Sequence, residues 1–371
     1  VFPFAMTAPF PASNRPTLHR EGQYAAKLLR SAKRAHAAGV ALRFAERNPE
    51  LAQRFESKFF GDQRVHAEGL IDHLAVALEC DRPALFEAQV GWLKSAFAAQ
   101  QVPVEVLRGT LQALREEVIE ELPTEPGRRA ASLCEPVLAG FDAVPSALMN
   151  HISADKPHAR LAQAYLLAVL EGRREDAIEL ALKALEDGLS VQDLYRHVLS
   201  AAQIDVGRMW QRGELHVAEE HMASRATEQV LALVGARLRR VPRLGKRILV
   251  TSSNGDLHDI GLKMVAQHLE MAGFDVVFLG ASTPGDDVVR AIEDFGVDGL
   301  AVAAKLTLHI PACIELIQTV RNSMRGQDLP ILVGGAPFVA VPDLWKVVGA
   351  DAAATHASDA VPAMKMLLHV S

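Results

Sequence analysis

Apolar and polar positions follow three successive patterns along the chain. From residue 18 to 150 apolar side chains recur at helical spacing, as in Leu107, Leu111, Leu114 and Val118, the stripe by which an amphipathic helix meets a core. Breaks fall at Asp81-Arg82-Pro83, Val102-Pro103 and Pro123-Thr124-Glu125-Pro126-Gly127, where proline and glycine interrupt helices. From 154 to 240 the helical period persists with shorter gaps, and helices are predicted near 157–171, 174–187, 190–212 and 215–239. Brief breaks such as Glu171-Gly172 and Asp187-Gly188 favour antiparallel neighbours, hence a four-helix bundle. Val241-Pro242-Arg243-Leu244-Gly245 reads as a linker. From 246 to 371 the pattern changes again: short continuous apolar runs near 247–252, 275–280, 298–304, 330–333 and 351–354 alternate with helical stretches near 261–272, 285–295, 310–324, 342–348 and 359–368. Such runs are strands buried on both faces, so the spacing predicts a doubly wound, flavodoxin- or Rossmann-like domain with a five-stranded parallel sheet.

Composition narrows the function classes without choosing one. The 371 residues carry a formal net charge of -6, which gives no broad electrostatic case for nucleic acid or membrane. No apolar run is long enough to span a bilayer. Cys80, Cys134 and Cys313 have neither disulfide nor zinc spacing, so a cytoplasmic protein is expected. Residues 1–17 are expected to be a mobile N-terminus without the basic flank of a signal peptide, with Met6 as the natural start. Lys27, Arg30, Lys33 and Arg34 sit at helical spacing and read as a solvated face.

The chemistry concentrates in Asp256-Leu257-His258-Asp259-Ile260-Gly261, directly after the run Arg247-Ile248-Leu249-Val250-Thr251-Ser252. A histidine at the C-terminal tip of a first parallel strand stands where open α/β sheets bind ligands. A carboxylate two residues earlier can accept its Nδ1 proton, which fixes the tautomer and leaves Nε2 free to hold a metal. A loop histidine taken singly is most often merely solvated. After the fourth predicted strand, Gly334 and Gly335 allow backbone to come close to a bulky ligand.

This D-x-H-x-x-G run resembles the cobalt-binding signature of cobalamin-binding domains. The resemblance implies His258 as the lower cobalt ligand, Asp256 as its orienting partner, Leu257, Ile260 and Gly261 beside it, and Gly334 and Gly335 as a wall around the cofactor's nucleotide tail. Leu279-Gly280 also matches the family's wording. The serine or threonine that such domains place after the third strand is missing. Ala303 and Lys305 stand there, and Thr307 is the nearest hydroxyl. In the predicted bundle, Trp210 followed after nine residues by Glu220-His221 resembles the lid of CarH-like, light-sensing cobalamin regulators. There the three residues would face the cofactor's upper ligand, an adenosyl group. Gln211 stands where DNA-binding members have a second cobalt-ligating histidine. No winged helix-turn-helix is found, so nucleic acid is not an expected partner.

The arrangement as a whole is similar to the photocobilins, which join a globin-like helical N-terminal part to a CarH-like cobalamin module and bind a bilin between them. Phe44, Phe55, Phe59, Phe60, His66, His73, Trp92 and Phe97 lie in the corresponding region. What the resemblance implies is a light-sensing signalling protein rather than an enzyme. It would hold adenosylcobalamin and have room for biliverdin as a second chromophore. It would act as a homo-oligomer on a separate downstream signalling protein. The competing implications are a corrinoid protein of a methyltransferase system and a cobalamin carrier without light chemistry.

Overall fold

The computed structural model describes residues 20–55, 63–144, 151–238 and 241–370. The expected mobile stretch 1–17 and the aromatics Phe59 and Phe60 lie outside the described residues. The chain divides into two compact units, one covering Leu18–Val230 and the other containing Leu231–Ser371.

In the first unit, α1 (Arg20–Ser31), α2 (Lys33–Arg47), α3 (Pro49–Phe55), α4 (Gln63–Cys80), α5 (Pro83–Ala99), α6 (Val104–Glu121) and α7 (Thr124–Ala139) form the N-terminal helical domain. The stripe that suggested α6 is its buried face, with Leu107, Leu111, Leu114 and Val118 all in the core. Helix α4 is sheathed by apolar neighbours over most of its length, from Leu70 to Cys80. Two of the four cations at helical spacing are paired. Arg30 meets Glu79 at 2.6 Å and Lys33 meets Asp72 at 2.8 Å.

The helical cap follows with α8 (Ala159–Leu170), α9 (Arg174–Glu186), the short α10 (Val191–Asp193), α11 (Ser200–Gln211) and α12 (Val217–Arg237). Ser190 caps α10 by accepting from the Asp193 amide at 3.0 Å, the usual use of a serine at a helix start. A π-helical stretch, Leu194–Leu199, joins α10 to α11, so the single helix expected over 190–212 contains a change of winding. Tyr165, Tyr195, Val198, Ala202, Ala223, Thr227 and Val230 fill the cap's core. The Tyr165 hydroxyl lies 2.9 Å from Thr227 Oγ1, which satisfies a phenol that would otherwise be buried without a partner.

The second unit is the expected parallel sheet: β1 (Arg247–Ser252), β2 (Asp275–Gly280), β3 (Gly299–Ala303), β4 (Ile331–Gly334) and β5 (Ala352–Ala354), in the order β2-β1-β3-β4-β5. Helices α13 (Ile260–Met271), α14 (Gly285–Phe295), α15 (Ile310–Asn322), α16 (Ala336–Ala340), α17 (Leu344–Val348) and α18 (Ala360–Leu367) alternate with the strands. One core beneath the sheet joins Ile248, Val250, Leu269, Phe274, Ala301, Leu332 and Met364. The strand order reverses direction at β1, the switch point where the loops of such sheets diverge and leave a crevice. Within residues 241–245, the Leu244 amide donates to the Gly273 carbonyl at 2.8 Å.

Candidate functional site

Register builds the site. Ser252 of β1 lies opposite Ala303 of β3, and Ala303 lies opposite Gly334 of β4. The three turns that carry the candidate residues therefore leave the sheet side by side. The first turn is tied down locally. Ser252 Oγ donates to the Asp256 carbonyl at 2.7 Å and accepts from the Ser282 amide at 2.8 Å. Ser282, after β2, has φ 54°, a left-handed conformation that is uncommon outside glycine. Its hydroxyl accepts from the Gly255 amide at 2.9 Å.

Asp256 is fully buried and its two oxygens face different partners. Oδ1 accepts the His258 amide at 3.0 Å and lies 2.8 Å from His258 Nδ1. Oδ2 accepts the Lys305 amide at 2.7 Å and lies 3.2 Å from His309 Nδ1. Burial alone would raise the pKa of this carboxyl. The hydrogen bonds from the His258 ring, Lys305 and the His258 backbone, together with the charge of His309, outweigh burial and hold it below the usual carboxylate value. An ionised Asp256 favours the His258 proton on Nδ1, and Nε2 is then the ring's available ligand atom.

These residues fit the expected imidazole ligand. The His258 side chain is about half exposed, so Nε2 can be reached. Leu257, 76% exposed, and the exposed Leu306 and Leu308 give the neighbourhood an apolar rim suited to a flat, largely apolar macrocycle. Ile260 opens α13, and a Cβ at Gly261 would meet nothing within 4 Å, which leaves open space beside the histidine. Gly335 has φ 129°, and a Cβ there would run into the Ala304 carbonyl. Its glycine is required by the fold itself, a reason separate from ligand contact. Gly334 ends β4. Gly280 ends β2, with φ 82°, and its carbonyl accepts from Thr251 Oγ1 at 3.2 Å. Thr307 begins the short 3-10 turn that carries His309.

The three residues expected on the lid all lie in the cap. Trp210 is 46% exposed near the end of α11. Glu220 accepts from Ser224 Oγ at 2.7 Å, and His221 Nε2 is 3.6 Å from the same carboxylate. Ser224 Oγ also lies 3.2 Å from Gln203 Oε1, and Gln203 Nε2 donates to Thr227 Oγ1 at 2.8 Å. Glu220 is thus held by a polar chain that runs into the cap's core.

His309 was missed as a site residue. Asp256, His258 and His309 are the described group of metal-ligating type whose ligand atoms all lie within 4.8 Å of one another. The available signal was a histidine at the start of the helix after β3, the strand next to β1. Ser282 carried no sequence signal at all.

In the N-terminal domain, Phe44 and Phe97 belong to the core. His66 packs edge-on against Phe97, and His73 Nδ1 lies 2.8 Å from the Gly69 carbonyl. Burial pushes the Cys80 and Cys134 thiols up to about 12, so neither is a reactive thiolate. Phe44, Phe97, His66 and His73 are thus engaged in the domain's own packing, while Trp92 is 40% exposed.

Comparison with known proteins agrees with this geometry. Two B12 binding domain models match, one over residues 246–365 and one over 161–234. The chain is similar to trimethylamine corrinoid protein 2 of Methanosarcina acetivorans, with 31% identity over 204 residues, covering 53% of this chain and 92% of that one. It is also similar to dimethylamine corrinoid protein 3 of the same organism, with 28% identity over 203 residues, 54% of this chain and 93% of that one. Among solved structures, the monomethylamine corrinoid protein of Methanosarcina barkeri superposes with a TM-score of 0.51 at 22% identity, covering 58% of this chain and all of that one, a likeness of fold.

These relatives overturn the light-sensing expectation. They are corrinoid proteins named for methylamines, so the photoreceptor reading is corrected, and with it the adenosyl ligand, the biliverdin chromophore and the downstream signalling partner. The physical reason lies in what Trp210, Glu220 and His221 can encode. An indole and two hydrogen-bonding groups on a helical face describe a cap, and they do not specify which group the cap covers.

Proposed function

We propose a function from one premise: the chain belongs to the family of corrinoid proteins built from B12-binding domains. On this reading it carries a corrinoid and serves as the methyl-carrying component of a methyltransferase system, with separate methyltransferases as partners and a methylated amine as the donor class. The observation that carries the reading is the 31% identity to trimethylamine corrinoid protein 2 across 92% of that relative.

A bound corrinoid supplies a cobalt centre that takes a methyl group from a donor and yields it to an acceptor. His258 would hold that centre through Nε2. Asp256 would keep the proton on Nδ1 and so keep the ring a neutral ligand. Leu257, Leu306 and Leu308 would exclude water around the imidazole. Gly261 would leave room for the cofactor's tail, with Thr307, Gly280, Gly334 and Lys305 around it. Trp210, Glu220 and His221 belong to the helical region matched by the second B12-binding model. The chain would be a carrier rather than an enzyme in its own right, acting in the cytoplasm.

The apo-protein loaded with hydroxocobalamin should show an imidazole-ligated spectrum that His258→Ala abolishes. Labelled methyl groups from di- or trimethylamine should then appear on the loaded protein when a methyltransferase of that amine class is added together with a low-potential chemical reductant, which supplies the two electrons that hydroxocobalamin lacks as a methyl acceptor. Failure to retain cobalamin, or retention without any transfer of label, would refute the assignment.

A further inference from the structure

Gln211 does not stand idle in place of the expected histidine. Its side chain is buried, and its amide N–H donates to the Trp92 carbonyl of α5 at 3.1 Å. Its backbone carbonyl accepts from Gln100 Nε2, at the C-terminal end of α5, at 3.2 Å. One residue of the cap thus binds the N-terminal domain twice, immediately beside Trp210. Six residues earlier on the same helix, about 9 Å along its axis, Asp205 accepts the His151 and Ile152 amides at 2.9 and 3.1 Å. Those two residues lie in the segment by which the chain enters the cap.

The two attachments differ in strength. At Asp205 a buried carboxylate takes two backbone donors, and Arg208 lies 3.4 Å away. Charge-assisted bonds of this kind are roughly twice as strong as neutral ones. At Gln211 both bonds are between neutral groups, and Gln100 Oε1 is buried without a hydrogen-bond partner. An unmet buried acceptor works against the contact it accompanies. Any rotation of α11 would therefore open the Gln211 end first while the Asp205 end holds.

We propose that Asp205 is a pivot and Gln211 a latch, through which the N-terminal helical domain senses and biases the position of the corrinoid-binding cap. This rests on the corrinoid reading above, since the cap is one of the two regions matched as B12 binding domains. The coupling is reciprocal by linkage. Cofactor engagement that turns the end of α11 alters how firmly α5 is held, and a protein gripping the N-terminal domain alters the cap in return. The N-terminal domain, which the two B12-binding models do not cover, thereby acquires a regulatory role.

Hydrogen–deuterium exchange on the full chain tests this in two arms. Without cofactor, Gln211→Ala should lose protection across residues 90–101, and Gln100→Ala should do the same, while the Asp205 segment at 151–152 stays protected. On loading with hydroxocobalamin, the unchanged chain should alter its exchange across 90–101, and Gln211→Ala should no longer transmit that change. Unaltered protection at 90–101 in the cofactor-free Gln211→Ala protein would remove the latch. Bound cobalamin, verified by its visible spectrum, with no change at 90–101 in the unchanged chain would remove the coupling. Absence of any bound-cofactor spectrum would instead strike the corrinoid reading and the regulatory role with it, leaving the cofactor-free arm to judge the contact.

Discussion

Asp256 joins two turns that sequence separates widely, and its loss should be felt in the empty protein as well as the loaded one. Asp256→Asn keeps the shape but turns an NH2 group toward one of the N–H groups the carboxylate now accepts. Hydrogen bonds to a buried charge contribute about 1.5–3 kcal/mol each, so urea unfolding of cofactor-free protein should show a loss of roughly 2 kcal/mol, together with a weaker imidazole-ligated spectrum after loading. Unchanged stability would mean that the carboxylate only aims His258. A second titration effect belongs to His66, which burial lowers from 6.5 to about 4. Between those values the unfolded chain binds the proton and the folded chain does not. Stability is therefore fully present above about pH 6.5, falls as the pH drops, and levels off near 4, a span of roughly 3 kcal/mol at most. His66→Leu should flatten that part of the pH–stability curve. Asp256 and His258 were legible because their interaction is local, two residues apart. His309 was not, because its place beside Asp256 depends on the pairing of β1 with β3, and single-sequence patterns do not contain that register.

Elements were easier to foresee than their partners. The runs at 247–252 and 275–280 became β1 and β2 within those bounds, because an apolar run too short for a helix and flanked by glycine has few other uses. The stretch expected as one helix near 342–348 follows a separate short helix, α16, which begins directly after Gly335. The paired glycines were read as one ligand-facing feature, yet the elements they join use them differently, and this separates Gly335 from Gly261. At φ 129°, Gly335→Ala meets the Ala304 carbonyl and an almost glycine-only conformation, so a loss of about 1–3 kcal/mol or outright misfolding is expected. Gly261 lies inside α13 with open space around it. Gly261→Ala should therefore hold or raise the melting temperature, by up to about 1 kcal/mol of stability, while weakening cobalamin retention. A Gly261→Ala protein that keeps full cobalamin affinity would show that the open space is not used by the cofactor.

For the whole molecule, the sequence foretold the class of ligand better than the use made of it. Helical and strand periods record what is buried, and the D-x-H-x-x-G run records what can hold cobalt. Neither records the upper ligand, which is why a cap bearing Trp210, Glu220 and His221 suggested light sensing until relatives named for methylamines corrected it. Turnover now tests the carrier reading. Activating an amine or a thiol acceptor takes a nucleophile with its base, or a second metal. Among the described residues, the one group of metal-ligating type is Asp256, His258 and His309. The three cysteines are buried, with the Cys80 and Cys134 thiols pushed up to about 12. The carrier reading assigns the preparation of donor and acceptor to separate methyltransferases. Loaded and chemically reduced protein incubated alone with di- or trimethylamine and a thiol acceptor should consume no amine beyond the amount of cofactor present, and sustained consumption should begin only when methyltransferases for both the amine and the thiol are added. Multiple turnovers by the chain alone would make it an enzyme in its own right and would demand a second reactive centre.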